Sequence, residues 1–474
     1  MPLLVLLCYL PLVFVSYGFS EDYRLLADFQ RGATFRPLML AEGRPGFALW
    51  ARTVFSGLSG IGSLAFVRLG AIILTAGLGV AFAIAWRRIG WPKFEAALAG
   101  TITVTLPSFQ LFAATAAMGG ALLAAAFGAA AAFIARSSLS TRSRNRRAGA
   151  IIGSIALLLA GLATYQPGGL IFVAFAAIFL IAANPPAREF RRLAATFAVV
   201  AIPALLIALA IFLAGRDAYR PYLLGAPRAD FALDPANKAL WFLFFPLPQA
   251  LNVWKLRPDL YLALAMMIAL ATGFVLHFRG CRLRSERALA MLLLLPLSYL
   301  PNLVVVENHV SFRSLPALAS LVLICYLTVL HDQFGRTRPR FYRALLSVLA
   351  AIGLFAAART TLRYIALPQA RELAAVRATL ELLPDSVTTI AVIPSDFRDS
   401  LAPAVLYDEF GYPSTALPWS ASDITWVVMR ELHPSPDTTA MRTIDKPDAN
   451  STATVIDWGV TLRQLNRDRT TGSN

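Results

Sequence analysis

The chain has 474 residues, of which 57% are hydrophobic and 15% are charged, and its mean hydropathy is +0.62. These values exclude an ordinary soluble domain, which is less apolar and more charged, and indicate a membrane protein with the lipid bilayer as a partner. The net charge of +16 does not indicate nucleic acid, because the Arg residues lie in short clusters between long apolar stretches. We expect no nucleic-acid partner.

The first apolar stretch, 1–18, has no basic start and no small-x-small cleavage site, so we interpret it as a retained helix. Its abrupt start leaves open whether the N-terminus is complete. The three cysteines, Cys8, Cys281 and Cys325, lie in or beside apolar stretches and form no CxxC pair. They predict neither a disulfide framework nor a zinc site.

Apolar windows of roughly 17–25 residues predict about eleven spanning helices. The windows are 1–18, 62–86, 94–112, 115–135, 148–164, 168–184, 194–214, 260–278, 288–305, 314–331 and 344–364. The break near Pro107 within this series is the weakest.

Five short loops hold 19 Lys and Arg residues against two acidic residues, Glu189 and Glu286. Such loops stay in the cytoplasm, so the N-terminus is predicted inside and the C-terminal part outside, in the inner (cytoplasmic) membrane. The five loops are 87–93, 136–147, 188–192, 279–287 and 336–343. The remaining connections, including the long loops 19–61 and 215–259, are predicted to lie outside.

The composition changes after Pro368 to mixed polar residues with two strand-like runs, 388–393 and 453–456. We therefore predict two domains, a transmembrane domain over 1–365 and a small extracytoplasmic α/β domain over 366–474. The tail from Arg467 is predicted to be disordered. The predicted fold class is an all-α polytopic membrane protein with a small C-terminal α/β domain.

The first outer loop carries Glu21, Asp22 and Arg24, and then Arg44 between Gly43 and Pro45. A carboxylate just after a spanning helix lies where a general base for a lipid-linked substrate is needed, and an Arg fork suits a phosphate oxygen. A carboxylate pair that caps a turn and an Arg that reaches the headgroups would also explain these residues.

Three more outer features carry polar side chains. The turn at Tyr165 and Gln166 places a phenol and an amide at the outer surface, where they could bond sugar hydroxyls, although Pro167-Gly168 alone indicates an ordinary turn. The loop 306–313 combines Glu307, His309 and Arg313. Arg216 beside Asp217 could hold a phosphate or simply end a helix.

Known catalytic motifs are missing from the sequence. It contains no HExxH, GxSxG or P-loop and no GxGxxG with a suitably spaced acid. The motifs of metalloproteases, serine hydrolases, ATPases and dinucleotide-binding proteins are therefore missing. Acidic residues are scarce within the apolar windows, which disfavours an ion-coupled transporter.

Five features follow one another along the chain: the apolar first helix, the acidic pair near Tyr23 and Arg24, Gly43-Arg44-Pro45, the Tyr165-Gln166 turn and the loop ending in Arg313. This order resembles the GT-C membrane glycosyltransferases. Within them, the pattern is most similar to the phage-type O-antigen glucosyltransferase family. The similarity covers roughly residues 15–330. The acidic pair is Glu-Asp where that family leads us to expect Asp-Asp.

The resemblance implies a GT-C enzyme that transfers a sugar, in this family glucose, from a polyprenyl-phosphate sugar donor to a glycan acceptor of the cell envelope. It maps the catalytic acid onto Asp22 or Glu21 and leaves open the use of a divalent cation. Arg44, Arg24, Arg313 and Arg216 would then neutralise phosphate. Tyr165, Gln166, Glu307 and His309 would orient the sugar.

Two other functions fit a polytopic protein with a basic cytoplasmic side. One is a transporter or flippase for a lipid-linked glycan, which the asymmetric outer loops and the lack of two similar halves disfavour. The other is a non-catalytic scaffold of an envelope assembly complex, in which Glu21 and Asp22 would be freely replaceable.

Overall fold

The computed structural model of the chain describes residues 2–31, 35–223, 230–278, 284–384, 387, 389–406, 408–433, 440–444 and 453–471. Cys281 and residues 472–474 of the tail lie outside these ranges, as do parts of the loops 19–61, 215–259 and 279–287. The segment from Arg467 to Thr471 continues a helix that begins at Trp458.

Helices make up most of the described chain. Those before the C-terminal sheet are α1 Pro2–Tyr9, α2 Pro11–Phe14, α3 Glu21–Arg31, α4 Phe35–Ala41, α5 Pro45–Phe55, α6 Leu64–Arg88, α7 Lys93–Thr103, α8 Pro107–Ala114, α9 Gly119–Ser138, α10 Arg144–Thr164, α11 Gln166–Gly169, α12 Ile171–Ala177, α13 Ala187–Ala218, α14 Pro235–Phe244, α15 Pro246–Leu251, α16 Leu260–His277, α17 Arg284–Leu297, α18 Leu300–Val304, α19 Pro316–Leu330, α20 Pro339–Thr361 and α21 Leu367–Glu381.

Seven helices among the described residues are long and apolar enough to cross a membrane, or eight if the bent pair α7 and α8 forms one span. The chain is therefore a multi-pass membrane protein. The predicted count of eleven spans is not confirmed, because several windows are interrupted. Pro2–Phe14 and Gln166–Ala182 are shorter apolar helices, α7 and α8 bend by 68° before Pro107, and α17 ends just after Pro296.

Small residues let the helices around the Tyr165-Gln166 turn pack closely. A Cβ atom on Gly128 of α9 would lie 2.3 Å from the carbonyl oxygen of Gly169, at the end of α11. The backbones of α9 and α11 therefore touch, as small residues commonly permit between membrane helices. This contact fixes the turn at Tyr165 and Gln166 against the bundle.

A small three-stranded sheet lies in the C-terminal part, with β1 Thr389–Ile393, β2 Ala440–Thr443 and β3 Thr454–Asp457. The order is β2-β1-β3 and both pairings are parallel. The helix α22, Pro418–Leu432, connects β1 to β2, and α23, Trp458–Thr471, follows β3. Parallel pairing of β1 with β2 requires a crossover connection, and α22 lies in it. The predicted fold class, helical with a small C-terminal α/β unit, is confirmed.

The C-terminal unit rests on the first loop of the membrane part. Helix α22 packs on α3, where the Arg31 guanidinium lies 4.1 Å from the Trp426 ring and 3.5 Å from Asp423. The chain enters this unit through one helical stretch, Pro339–Glu381, so the predicted boundary at 365/366 falls within a helix.

Candidate functional site

Asp22 is fully buried in the first turn of α3, and its carboxylate accepts hydrogen bonds from neighbouring backbone amides. Its Oδ1 accepts a hydrogen bond from the Ala117 amide at 2.6 Å, and its Oδ2 accepts bonds from Phe19 at 3.0 Å and Ala116 at 3.4 Å. Burial raises the pKa of Asp22 to about 6, against the opposing effects of these amides and of Arg68. Asp22 thus ties the start of α3 to the turn between α8 and α9.

Glu21 points elsewhere, to the guanidinium of Arg313. Both Nη atoms of Arg313 donate to the carboxylate, with 3.1 Å between Nη2 and Oε2. Arg313 lies in the turn before α19 and also forms an ion pair with Glu409 of the C-terminal part. The Glu21 side chain keeps 27% of its surface exposed, whereas Asp22 has none. Of the acidic pair, Glu21 is the member that another molecule can reach.

The loop that precedes Arg313 is held by Asp408. Its Oδ2 accepts from the Ser311 hydroxyl and from the Phe312 amide, each at 2.7 Å. The exposed imidazole of His309 lies 3.9 Å from the same carboxylate. Burial raises the pKa of the neighbouring Glu409, against the effect of Arg313. The C-terminal part therefore supplies two carboxylates to the loop 309–313, a contribution with no signal in the sequence.

Arg44 joins two features that the sequence analysis singled out, the Gly43-Arg44-Pro45 turn and the Tyr165-Gln166 turn. Its Nε donates to Oε1 of Gln166 at 2.9 Å, and its Nη1 pairs with Oε2 of Glu42 at 2.8 Å. The guanidinium also lies over the Tyr165 ring, 5.1 Å from its centroid, and the Tyr165 hydroxyl donates to the Arg313 carbonyl at 3.2 Å. Tyr165 therefore stands between the Arg44 group and the Glu21–Arg313 pair.

Gly43 makes the turn that presents Glu42 and Arg44. Its φ of +68° lies in the left-handed region, and a Cβ atom there would lie 2.7 Å from Cα of Phe212 on α13. This turn is therefore pressed against a spanning helix, which places both charged side chains at the wall of α13.

A cleft of about 300 Å³ opens beside these residues. Its polar lining residues are Glu42, Arg44, Gln166, Asn302 and Glu307, and the rest are mostly apolar residues of α10, α13 and α18. On α13, Leu206 and Leu209 line the cleft. They remain 61% and 40% exposed on the side of this helix that faces away from the bundle. The cleft therefore combines an ionic end with a wall that continues into the lipid-facing surface.

The structure brings together most of the predicted site residues, but not all. Glu307 lines the cleft, and its backbone carbonyl accepts from Lys238 at 2.8 Å. Arg24 lies near Asp28 at 3.9 Å and over Trp419, and Arg216 lies near Asp217 at 3.3 Å and over the Phe231 ring. Neither Arg24 nor Arg216 lines the cleft.

Sequence reasoning missed Glu42 and Lys238. Glu42 stands two residues before Arg44, and this close spacing was the signal in the sequence that the two side chains could form an ion pair. Lys238 donates to Asn308 Oδ1 at 2.6 Å as well as to Glu307 and so holds the loop 302–308, which only the fold shows. Among the described residues, no group of three His, Cys, Asp or Glu side chains is placed to hold a metal ion.

No family model matches the sequence, and no curated protein matches it. A search of solved structures finds the oligosaccharyltransferase of Archaeoglobus fulgidus, solved in complex with zinc and sulfate, at 13% identity and a TM-score of 0.46. The match covers 90% of this chain and 61% of that structure. The chain thus corresponds to about 61% of the length of the protein it matches.

Proposed function

We propose that this protein is a GT-C type membrane glycosyltransferase, which transfers a glucosyl residue from a polyprenyl-phosphate donor to a glycan of the cell envelope on the outer face of the inner membrane. The cleft supports this proposal best, because it joins a lipid-facing apolar wall to Arg44. A substrate with an isoprenoid chain and a phosphate needs both parts in one site.

The polyprenyl chain would lie along α13, and its phosphate would meet Arg44. A guanidinium has five N–H donors, and the contacts with Gln166 and Glu42 use two of its nitrogens, so donors remain for a phosphate oxygen. Glu42 would keep the guanidinium in place. Glu307, on the cleft wall, would bond the sugar hydroxyls.

Glu21 is the base in this proposal. The acceptor hydroxyl gives its proton to the Glu21 carboxylate, its oxygen forms a bond to the anomeric carbon, and the bond from that carbon to the phosphate oxygen breaks. Polyprenyl phosphate leaves with the electron pair and, as a stable anion, needs no general acid. Asp22, whose oxygens are bonded to three backbone amides, would position the loop.

The acceptor would approach from the side of the C-terminal part, where His309 is exposed and Arg313 pairs with both Glu21 and Glu409. Tyr165, which contacts both Arg44 and Arg313, would then lie where the donor and the acceptor meet. Arg24 and Arg216 would contribute positive charge near the outer membrane surface, outside the cleft.

The test is transfer of labelled glucose from polyprenyl-phosphate glucose to endogenous glycan, in membranes that contain the wild type or Glu21→Gln. We expect transfer by the wild type and loss of transfer by the variant at equal expression. A flippase would instead move the lipid-linked glycan across proteoliposomes and form no new linkage. Full activity of both Glu21→Gln and Asp22→Asn would overturn the proposal.

The orientation is tested by labelling single cysteines in sealed cells. Ser59 and Ser143 are exposed and lie on opposite predicted sides, whereas Ser20 and Ser311 are buried and label poorly. We expect an impermeant maleimide to modify Ser59→Cys and to spare Ser143→Cys. The reverse result would place the cleft on the cytoplasmic side.

A further inference from the structure

A second cavity, of about 450 Å³, lies at the other ends of the spanning helices. It is lined by the turn that follows α6, by the last two residues of α16, by residues 182–184 and by the segment His331–Arg336 after α19. Helix α19 begins at Pro316, three residues after Arg313, and its 15 residues extend for roughly 22 Å. This cavity is therefore far from Arg313 and lies toward the opposite membrane surface.

Arg336 is the one Lys or Arg among the described lining residues of this cavity. Asp332 is the one carboxylate among its described lining residues, and it is engaged by Nδ1 of His277. The ring of His331 stacks on Trp91 with 4.4 Å between centroids. Arg336 completes the lining, and no described carboxylate lies within ion-pair distance of it.

One more carboxylate lies close by, but it is already engaged. Oε2 of Glu95 is 4.0 Å from Nδ1 of His331, while its Oε1 accepts from Nε of Arg343 at 3.1 Å. Each acid around the cavity therefore has its own cationic or imidazole partner. The guanidinium of Arg336 can therefore bind a ligand, and its positive charge favours an anion.

The cavity also touches the lipid-facing surface. Leu276 lines it and is 42% exposed on α16, one of the seven candidate spans. Ile89 lines it beside the end of α6. A ligand whose phosphate meets Arg336 could therefore continue along apolar side chains into the bilayer.

We propose that this cavity binds the phosphate of an anionic membrane phospholipid, in the leaflet opposite the cleft that contains Arg44. Arg336 and His331 donate to the phosphate oxygens, and Gln333 is placed to bond a headgroup hydroxyl. A choline headgroup is disfavoured, because its fixed positive charge would meet Arg336. The proposal does not depend on the glycosyltransferase function.

The test uses the full chain in nanodiscs of phosphatidylcholine, with phosphatidylglycerol or inorganic phosphate added in separate arms. Lipid retention by native mass spectrometry and the melting temperature are measured for the wild type, Arg336→Gln, His331→Gln and the control Arg340→Gln. Arg340 is exposed nearby but does not line the cavity.

We expect phosphatidylglycerol to raise the melting temperature of the wild type and of Arg340→Gln. Arg336→Gln should bind it roughly tenfold or more weakly, the size expected for one charge-assisted hydrogen bond. His331→Gln should show a smaller loss. Equal retention by Arg336→Gln and Arg340→Gln would overturn the site. Equal stabilisation by inorganic phosphate alone would overturn the lipid as its ligand.

Discussion

Nε of Arg44 donates to the side-chain oxygen of Gln166 at 2.9 Å, across 122 residues of sequence. This bond joins the segment between the first apolar helix and α6 to a turn between two apolar helices. It makes Arg44 a fixed cation at the wall of an apolar cleft rather than a mobile surface charge.

Glu21→Gln should lower kcat for sugar transfer by roughly a hundredfold to ten-thousandfold, the usual effect of losing a general base. The KM for the lipid donor should change little, because Glu21 pairs with Arg313 and does not line the cleft. Steady-state kinetics in membranes measure both. Asp217→Asn, at an exposed carboxylate at the end of α13, is the control and should keep wild-type kcat. An unchanged kcat in Glu21→Gln would contradict the assignment.

Arg44→Gln should raise the KM for the polyprenyl-phosphate donor by about tenfold to a hundredfold, since it removes charge-assisted bonds to phosphate. Arg36→Gln removes an exposed charge from the same loop and should leave KM unchanged. Donor titrations in detergent micelles measure the effect. Equal KM values for the two variants would show that Arg44 does not bind the donor.

Asp22→Asn should impair folding as well as transfer. The amide nitrogen of Asn would face backbone N–H groups that now donate to both carboxylate oxygens, so buried donors would lose their acceptor. We expect less protein in the membrane and a melting temperature several degrees lower. Glu21→Gln should lower the melting temperature less, because Arg313 keeps its ion pair with Glu409. A normally stable but inactive Asp22→Asn would instead favour Asp22 as the base.

Gly43→Ala should destabilise the protein by about 1–3 kcal/mol, because the left-handed φ and the contact with Phe212 both oppose a Cβ atom. Gly57→Ala is the matched control, since nothing lies within 4 Å of its added Cβ. Fluorescence-monitored melting of the purified variants measures the difference. If Gly43→Ala melts like Gly57→Ala, the turn at Glu42 and Arg44 is not held against α13 as described.

Asp423→Asn should raise the free energy of unfolding near pH 7.5. It should also remove the part of the pH dependence of this free energy that Asp423 causes in the wild type. Burial raises the pKa of Asp423 from 3.8 to about 6, so the folded protein holds this proton more tightly than the unfolded chain. The contribution of this group to the free energy of unfolding therefore falls as pH rises from about 4 to about 6 and is constant above. Melting curves of both proteins across this range measure it. An equal pH dependence in Asp423→Asn would contradict the shift.

The sequence alone predicted the membrane class and a small α/β unit at the C-terminus, whereas the parallel pairing of its strands came from the structure. Hydropathy is a local property, because each residue's transfer into lipid depends mainly on its own side chain. The strand-like runs identified β1 and β3, while β2, Ala440–Thr443, was not predicted. The number of spans was not recoverable, since Pro107 and Pro296 interrupt apolar windows in ways that composition does not reveal.

The sequence by itself also determined which residues could carry chemistry, since Glu21, Arg44, Gln166 and Arg313 stand out as polar groups beside apolar helices. Only the tertiary structure shows the surroundings of each of these side chains. Asp22 is buried and Glu21 is reachable because the start of α3 packs against the turn between α8 and α9. The pairing of Glu21 with Arg313 spans 292 residues, and contacts of that range follow from helix packing, which no local pattern encodes.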